Sequence, residues 1–174
     1  YRYAAKRLAE WGVRSLEDAD ALFRAGADKI VIGTWWQGIE PLAARYGSQA
    51  VVQALDARYC AAARSDMFRY EFAPRGQVIT IGRTIEGWAR EIQRLGAGEI
   101  LLQSIDRDGT RTGYDVDLIS RVAAVCRVPL IASGGARGSC ATMLAEDMGR
   151  AVAAGADAVA AGAVIDASGT ANGT

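Results

Sequence analysis

The sequence predicts an α/β fold in which parallel strands alternate with helices, and three observations in its 174 residues carry that prediction. Short β-branched runs are apolar on both faces, the pattern of strands covered by helices on each side. Amphipathic segments of helical period separate them. Each segment closes onto the next strand through a short turn bearing Gly or Pro. Taken in order, a helix near 16–25 turns through AGAD (25–28) into the strand DKIVIG (28–33). A helix near 38–46 turns through YGSQ (46–49) into AVVQALD (50–56). The third helix, near 84–95, passes through GAG (96–98) into EILLQS (99–104), and the fourth, near 115–126, passes through RVP (127–129) into VPLIAS (128–133). A last helix near 141–154 repeats AGAD (154–157) before DAVAAG (157–162). Parallel strands joined this way leave two architectures, a doubly wound sheet and a (β/α)8 barrel.

Composition narrows the class of function. A chain of this length, 51% hydrophobic with 20 basic and 20 acidic residues, has material for one sizeable core. Its basic residues are scattered, without the stripe that a nucleic-acid backbone requires, so no nucleic-acid partner is expected. No apolar stretch reaches the roughly 18 residues that span a bilayer, and the opening YRYAAKRLAEWGVRS (1–15) lacks the apolar centre of a secretory signal. A cytoplasmic protein without a membrane partner is the expectation. Cys60, Cys126 and Cys140 are odd in number and unpaired in spacing, which suggests neither a disulfide framework nor a zinc site. The chain has no histidine. That removes the usual general base, the Ser/His and Cys/His nucleophile pairs and the commonest metal ligand at once. Acid–base chemistry falls to carboxylates, Lys, Tyr or Cys, and carboxylates at strand ends suit it where burial lifts their pKa. No metal and no cofactor are expected.

An internal echo favours the barrel. Residues 12–34 and 134–163 share a small-residue turn, a helix, AGAD and a strand ending in Gly. The two copies lie much further apart than the ~20–50 residues of a solenoid repeat, and fit two half-barrels. The other reading of AGAD is a common helix-to-strand turn. If the echo is real, Gly12, Gly33 and Thr34 in one copy and Gly134, Gly135 and Gly162 in the other expose backbone N–H groups at the C-terminal mouth of the sheet. Such nests bind phosphate. Two of them at one mouth suit a substrate with a phosphate at each end. Asp106, Arg107 and Asp108 follow the strand 99–104, with Gly109 turning the backbone, and Asp56 ends an earlier strand at the equivalent level. Two carboxylates in one pocket divide acid and base roles. The alternative for Asp56 is a capping aspartate, and for DRDG (106–109) a plain Asp-Gly turn.

The stretches AGADKIVIGT (25–34), RYGSQAVVQALDAR (45–58), LGAGEILLQSIDRDGTRTGYD (95–115) and VPLIASGGA (128–136) together resemble the cyclase subunit family of imidazole glycerol phosphate synthase. That is a (β/α)8 (TIM) barrel family of histidine biosynthesis, and the resemblance covers most of residues 12–165. It implies an enzyme that combines ammonia from a glutaminase partner subunit with a bis-phosphorylated ribulosyl substrate, giving imidazole glycerol phosphate and an aminoimidazole carboxamide ribotide. It implies Asp56 as a catalytic acid or base. It implies one phosphate on Gly12, Gly33 and Thr34, and the other on Asp108, Gly109, Gly135, Gly162 and Ala163. Gln103, Ser104 and Asp106 would complete the mouth, and Lys29 with Glu99 would gate ammonia at the opposite face. A Lys–Glu pair is equally a plain stabilising bridge.

The departures from the family pattern are specific. LAEWGVRS (8–15) replaces a triple-glycine turn, Gly33 an asparagine and Ala163 a serine, and Trp35 and Trp36 stand where the family has small residues. The segment 137–147 is longer than the family's loop. The family's second catalytic aspartate belongs to a first strand with no counterpart here. About five of eight β/α units are therefore expected in residues 1–165, with 166–174 a polar tail. Gln103 and AAG (160–162) also resemble paralogous cyclases of surface-polysaccharide clusters, which implies ammonia-dependent amidation of a sugar. A catalytically silent, phosphate-binding fragment is the non-enzyme alternative.

Overall fold

The computed structural model describes residues 13–61, 69–77, 83–137 and 141–162. Gly12, Ala163 and the tail 166–174 lie outside the described residues. The order is α1 (Leu16–Arg24), β1 (Ile30–Ile32), α2 (Ile39–Tyr46), β2 (Val51–Tyr59), β3 (Tyr70–Phe72), α3 (Ile85–Arg94), β4 (Glu99–Ser104), α4 (Val116–Ala123), β5 (Leu130–Ser133), α5 (Ala141–Ala153) and β6 (Ala158–Ala160). Five strands form a parallel run β1-β2-β4-β5-β6, joined by helical crossovers, and β3 pairs antiparallel with β2. This is a partial (β/α)8 barrel, with the five expected strands all present.

Local chemistry starts the helices. Ser15, Thr84 and Asp115 accept hydrogen bonds from the backbone N–H groups of Asp18, Gly87 and Leu118, which would otherwise be unpaired in the first turn. Acidic residues follow each cap, at Glu17 and Asp18, Glu86 and Asp117, where the positive end of the helix dipole favours them. In α3, the buried residues Ile85, Trp88, Ala89 and Ile92 recur at helical spacing and form one apolar stripe. Trp88 is completely buried, against Phe72 at 4.8 Å and Trp36 at 5.4 Å between ring centroids. Trp36 thus joins the core beneath the helices, and the Trp35 ring covers Gly38.

The strands alternate, as a pleat demands. Ile30, Ile32, Val51, Leu55, Ala57, Ile100, Leu102, Leu130 and Ala132 belong to the buried core shared with the helices. Of the opposite parity, Val52 and Ile131 are also buried, while Val31, Ala54, Asp56, Leu101, Gln103, Ser133 and Ala160 are only half-buried.

Two features differ from the sequence expectation. Strand β2 continues to Tyr59 because β3 zips onto its projecting end, pairing Ala57 with Phe72, Arg58 with Glu71 and Tyr59 with Tyr70. A three-residue strand is too short to show periodicity, and it forms here through that pairing.

Candidate active site

Register brings the mouth together. Asp56 lies opposite Gln103, Gln103 opposite Ser133, and Ser133 opposite Ala160, so the C-terminal ends of four adjacent parallel strands meet in one row. Side chains in such a row project to the same side of the sheet. The Asp56 carboxylate accepts a 3.3 Å hydrogen bond from the Arg75 N–H through Oδ2. Burial holds its pKa above the ordinary 3.8, and the Arg75 hydrogen bond opposes that shift. A half-buried carboxyl with one backbone donor and an elevated pKa is suited to carrying a proton.

The stretch after β4 folds back over this row. Gln103 Nε2 donates to Asp108 Oδ2 at 3.1 Å, while the Tyr59 N–H donates to Asp106 Oδ2. Both aspartates are exposed, as is Gly109. Among the described residues no hydrogen bond joins Asp56 to either of them, so the carboxylates occupy three separate settings around the mouth. Ser104 is buried, and its hydroxyl donates to Asp115 Oδ2 at 3.4 Å. Asp115 also accepts from the Tyr70 hydroxyl at 3.0 Å, from which β3 is tied to the start of α4. Burial and then the Asp115 charge push the Tyr70 phenol up, so it remains a donor.

Gly134 and Gly135 follow β5 at φ +89° and +94°, a region that other residues rarely enter. A side chain on Gly134 would come within 2.6 Å of the Ser104 carbonyl, and one on Gly135 would strike the Gly113 carbonyl. The Gly113 N–H donates to the Gly135 carbonyl at 2.7 Å, which locks this turn to the β4–α4 loop. Gly33 follows β1, with its carbonyl accepting 2.8 Å from the buried Gln53 amide, and Thr34 beside it is exposed. Gly162 is exposed after β6.

At the other end of the sheet, Lys29 and Glu99 form an ion pair, with side chains 17% and 12% exposed. Lys29 precedes β1 and Glu99 opens β4, so the pair spans the intervening β2 at the N-terminal end of the sheet, away from Asp56.

Sequence reading missed the latch beneath the Gly134–Gly135 turn. Asp147 of α5 is 2% exposed and takes the Arg137 guanidinium through Nε and Nη2, at 2.6–3.0 Å, and its backbone N–H at 3.1 Å. The Arg137 interaction holds the Asp147 carboxyl below its ordinary value. The long segment 137–147 was the visible signal, and the pairing across ten residues depends on how the chain returns. Among the described residues no group of three or more Cys, Asp or Glu side chains is arranged to hold a metal.

Comparison with known proteins gives a consistent set of relatives. A family model described as histidine biosynthesis protein matches residues 9–169. The imidazole glycerol phosphate synthase subunit HisF of Pyrobaculum aerophilum is 49% identical over 158 residues, covering 88% of this chain and 58% of that protein. The subunit of the same name from Kocuria rhizophila is 46% identical over 162 residues, covering 88% and 58%. That from Micrococcus luteus is 45% identical over 159 residues, covering 86% and 57%. The chain thus spans less than two thirds of the length of these relatives.

Proposed function

The chain belongs to the histidine biosynthesis protein family, and from that premise we propose that it supplies part of a cyclase that combines ammonia with a bis-phosphorylated ribulosyl substrate. The products would be imidazole glycerol phosphate and an aminoimidazole carboxamide ribotide. The observation that carries the reading is Asp56: a carboxyl with its pKa raised by burial, in the C-terminal half of β2 and in register with Gln103, itself in register with Ser133. Relatives named as imidazole glycerol phosphate synthase subunits support the choice of reaction.

In this reading Asp56 moves a proton during ring closure. Its Oδ2 is oriented by the Arg75 N–H, and its elevated pKa lets it hold the proton nearer neutral pH than an exposed aspartate does. The Gly134–Gly135 turn, with Asp108, Gly109, Gly162 and Ala163, forms one phosphate subsite through backbone N–H groups, and Gly12, Gly33 and Thr34 form the other. Gln103 fixes Asp108, while Ser104 and Asp106 hold the loop that covers the substrate. The Lys29–Glu99 pair gates ammonia from a glutaminase subunit bound at the opposite face. A second acid comes from the part of the relatives' length that this sequence does not span. The setting is cytoplasmic small-molecule metabolism.

The test is ammonia-dependent turnover of the ribulosyl bisphosphate by the purified chain, alone and with a polypeptide supplying the first three β/α units of the family. Turnover in either mixture that vanishes in Asp56→Asn supports the assignment. Turnover unchanged by that substitution removes Asp56 from the chemistry, and a folded protein inactive in both mixtures rejects the cyclase reading.

A further inference from the structure

Away from the mouth, a cavity of about 630 Å³ lies between the C-terminal half of α3 and the turn that leads from α4 into β5. Its walls include Arg90, Gln93 and Arg94 of the helix and residues 124–128 of the turn. Gln93 fastens the two sides together. Its amide nitrogen donates to the Ala89 carbonyl at 2.7 Å and the Val125 carbonyl at 3.3 Å, and its amide oxygen accepts the Arg127 N–H at 2.7 Å. The cleft is therefore preformed, and its volume lies in the range of roughly 300–1,000 Å³ typical of small-molecule sites.

Three arginines and no acidic residue line it, and Arg90 and Arg127 are exposed at its edge. Arg94 is engaged by Glu91, at 3.1 Å through Nε and 2.9 Å through Nη2. Among the described residues, the side chains of Arg90 and Arg127 have neither an ion pair nor a hydrogen bond. Cys126 adds no negative charge, since burial, then the Asp157 charge, pushes its thiol up to about 11. Asp157 itself is turned to the backbone, accepting the Leu130 N–H at 2.9 Å. Complementing the negative end of a helix explains Arg94, which sits in the last turn of α3. It does not explain Arg90, one turn earlier, or Arg127, beyond the end of α4. Two arginines without a carboxylate partner among the described residues, on one cleft, offer a single anion two points of attachment. Guanidinium forks match phosphate and carboxylate oxygens in pairs. Val125 and Val128 supply an apolar wall for a carbon skeleton.

We propose that this cleft binds a small molecule bearing two or more phosphate or carboxylate groups, with Arg90 and Arg127 as its ligating cations. The proposal is independent of the cyclase reading. It is tested on the full chain with pyrophosphate and citrate as probes, by calorimetry and by backbone amide NMR. Saturable binding of either probe is expected, with shifts centred on residues 90–94 and 124–128; which probe binds tighter identifies the anion class. Arg90→Gln and Arg127→Gln should each weaken binding about tenfold or more, as loss of a charge-assisted hydrogen bond does. Arg150→Gln, on the exposed side of α5, should leave it unchanged. Shifts confined to Gly134–Ala136 would locate the anion at the mouth and overturn the proposal. So would the absence of saturable binding in the folded protein, or equal weakening by all three substitutions.

Discussion

On β2 and β4, successive residues serve opposite ends. Leu55 and Leu102 are buried against the helices, while their neighbours Asp56 and Gln103 are half-buried at the mouth, one in register with the other. The helix-facing side is closed and apolar except for Gln53, whose amide ties β2 to Gly33 of the preceding turn, and Ser104, whose hydroxyl ties β4 to Asp115. The opposite side carries the charged and polar groups: the Lys29–Glu99 pair at its foot and Asp56, Gln103 and Ser133 at its head. Because side chains alternate with a period of two, one strand can commit half its residues to burial and half to chemistry. Stability and the proposed chemistry are thus separated by a single residue step, and substitutions on the two sides should fail in different ways.

The largest effect expected on the chemical side is that of Asp56→Asn. In the assembly that turns over, it should lower kcat by about 10²–10⁴ while substrate binding persists. The same substitution should not destabilise the fold. A raised native pKa means that the folded state keeps its proton where the unfolded state has released it. The carboxyl's contribution is then fully present below 3.8 and lost as pH rises through the folded value. Asparagine should flatten that dependence, as denaturant titrations across the acidic range would reveal; an unchanged profile would contradict the burial of Asp56.

On the closed side, Leu102→Ala should cost about 3 kcal/mol of unfolding free energy, because the cavity left under the helices cannot refill. A smaller loss, about 2 kcal/mol, is expected from Asp147→Ala, which strands the Arg137 guanidinium beneath the Gly134–Gly135 turn. The Asp147 contribution carries the opposite pH sign to that of Asp56. Its depressed pKa gives stability above 3.8 that is lost as pH falls through the lower folded value. Phosphate affinity at the mouth should weaken in Asp147→Ala, which titration with inorganic phosphate would measure. The smallest effect, below about 1 kcal/mol, belongs to Leu101→Ala on the half-buried face, measured in this chain by chemical denaturation. If Leu101→Ala proved as damaging as Leu102→Ala, the distinction between the faces would collapse.

Much of the fold was legible because its signals are local and repeated. Five apolar runs became the five parallel strands, and the five periodic segments between and before them became helices. The strand ends carrying Asp56 and Gln103 could be placed from the same alternation. What escaped was built from distant partners. The antiparallel β3 exists through the projecting end of β2, and the Tyr70–Asp115 and Ser104–Asp115 hydrogen bonds join segments that no short window contains. Trp35 and Trp36, adjacent in sequence, part company: one ring covers Gly38 and the other reaches Trp88. Neither destination follows from the pair itself.

The sequence by itself determined the alternation of strand and helix, the apolar stripe of each helix, the glycines that the Gly134–Gly135 turn requires, and the family motifs around Asp56 and Asp108. These are properties of a residue and its near neighbours, set by backbone freedom and side-chain period. Only the tertiary structure decided that Asp56 has a raised pKa, that Asp106 and Asp108 are held by Tyr59 and Gln103 in place of each other, and that Asp147 closes on Arg137. The reason is physical: desolvation and hydrogen bonding act through space, and their strength is set by which atoms the folded chain brings within a few ångströms.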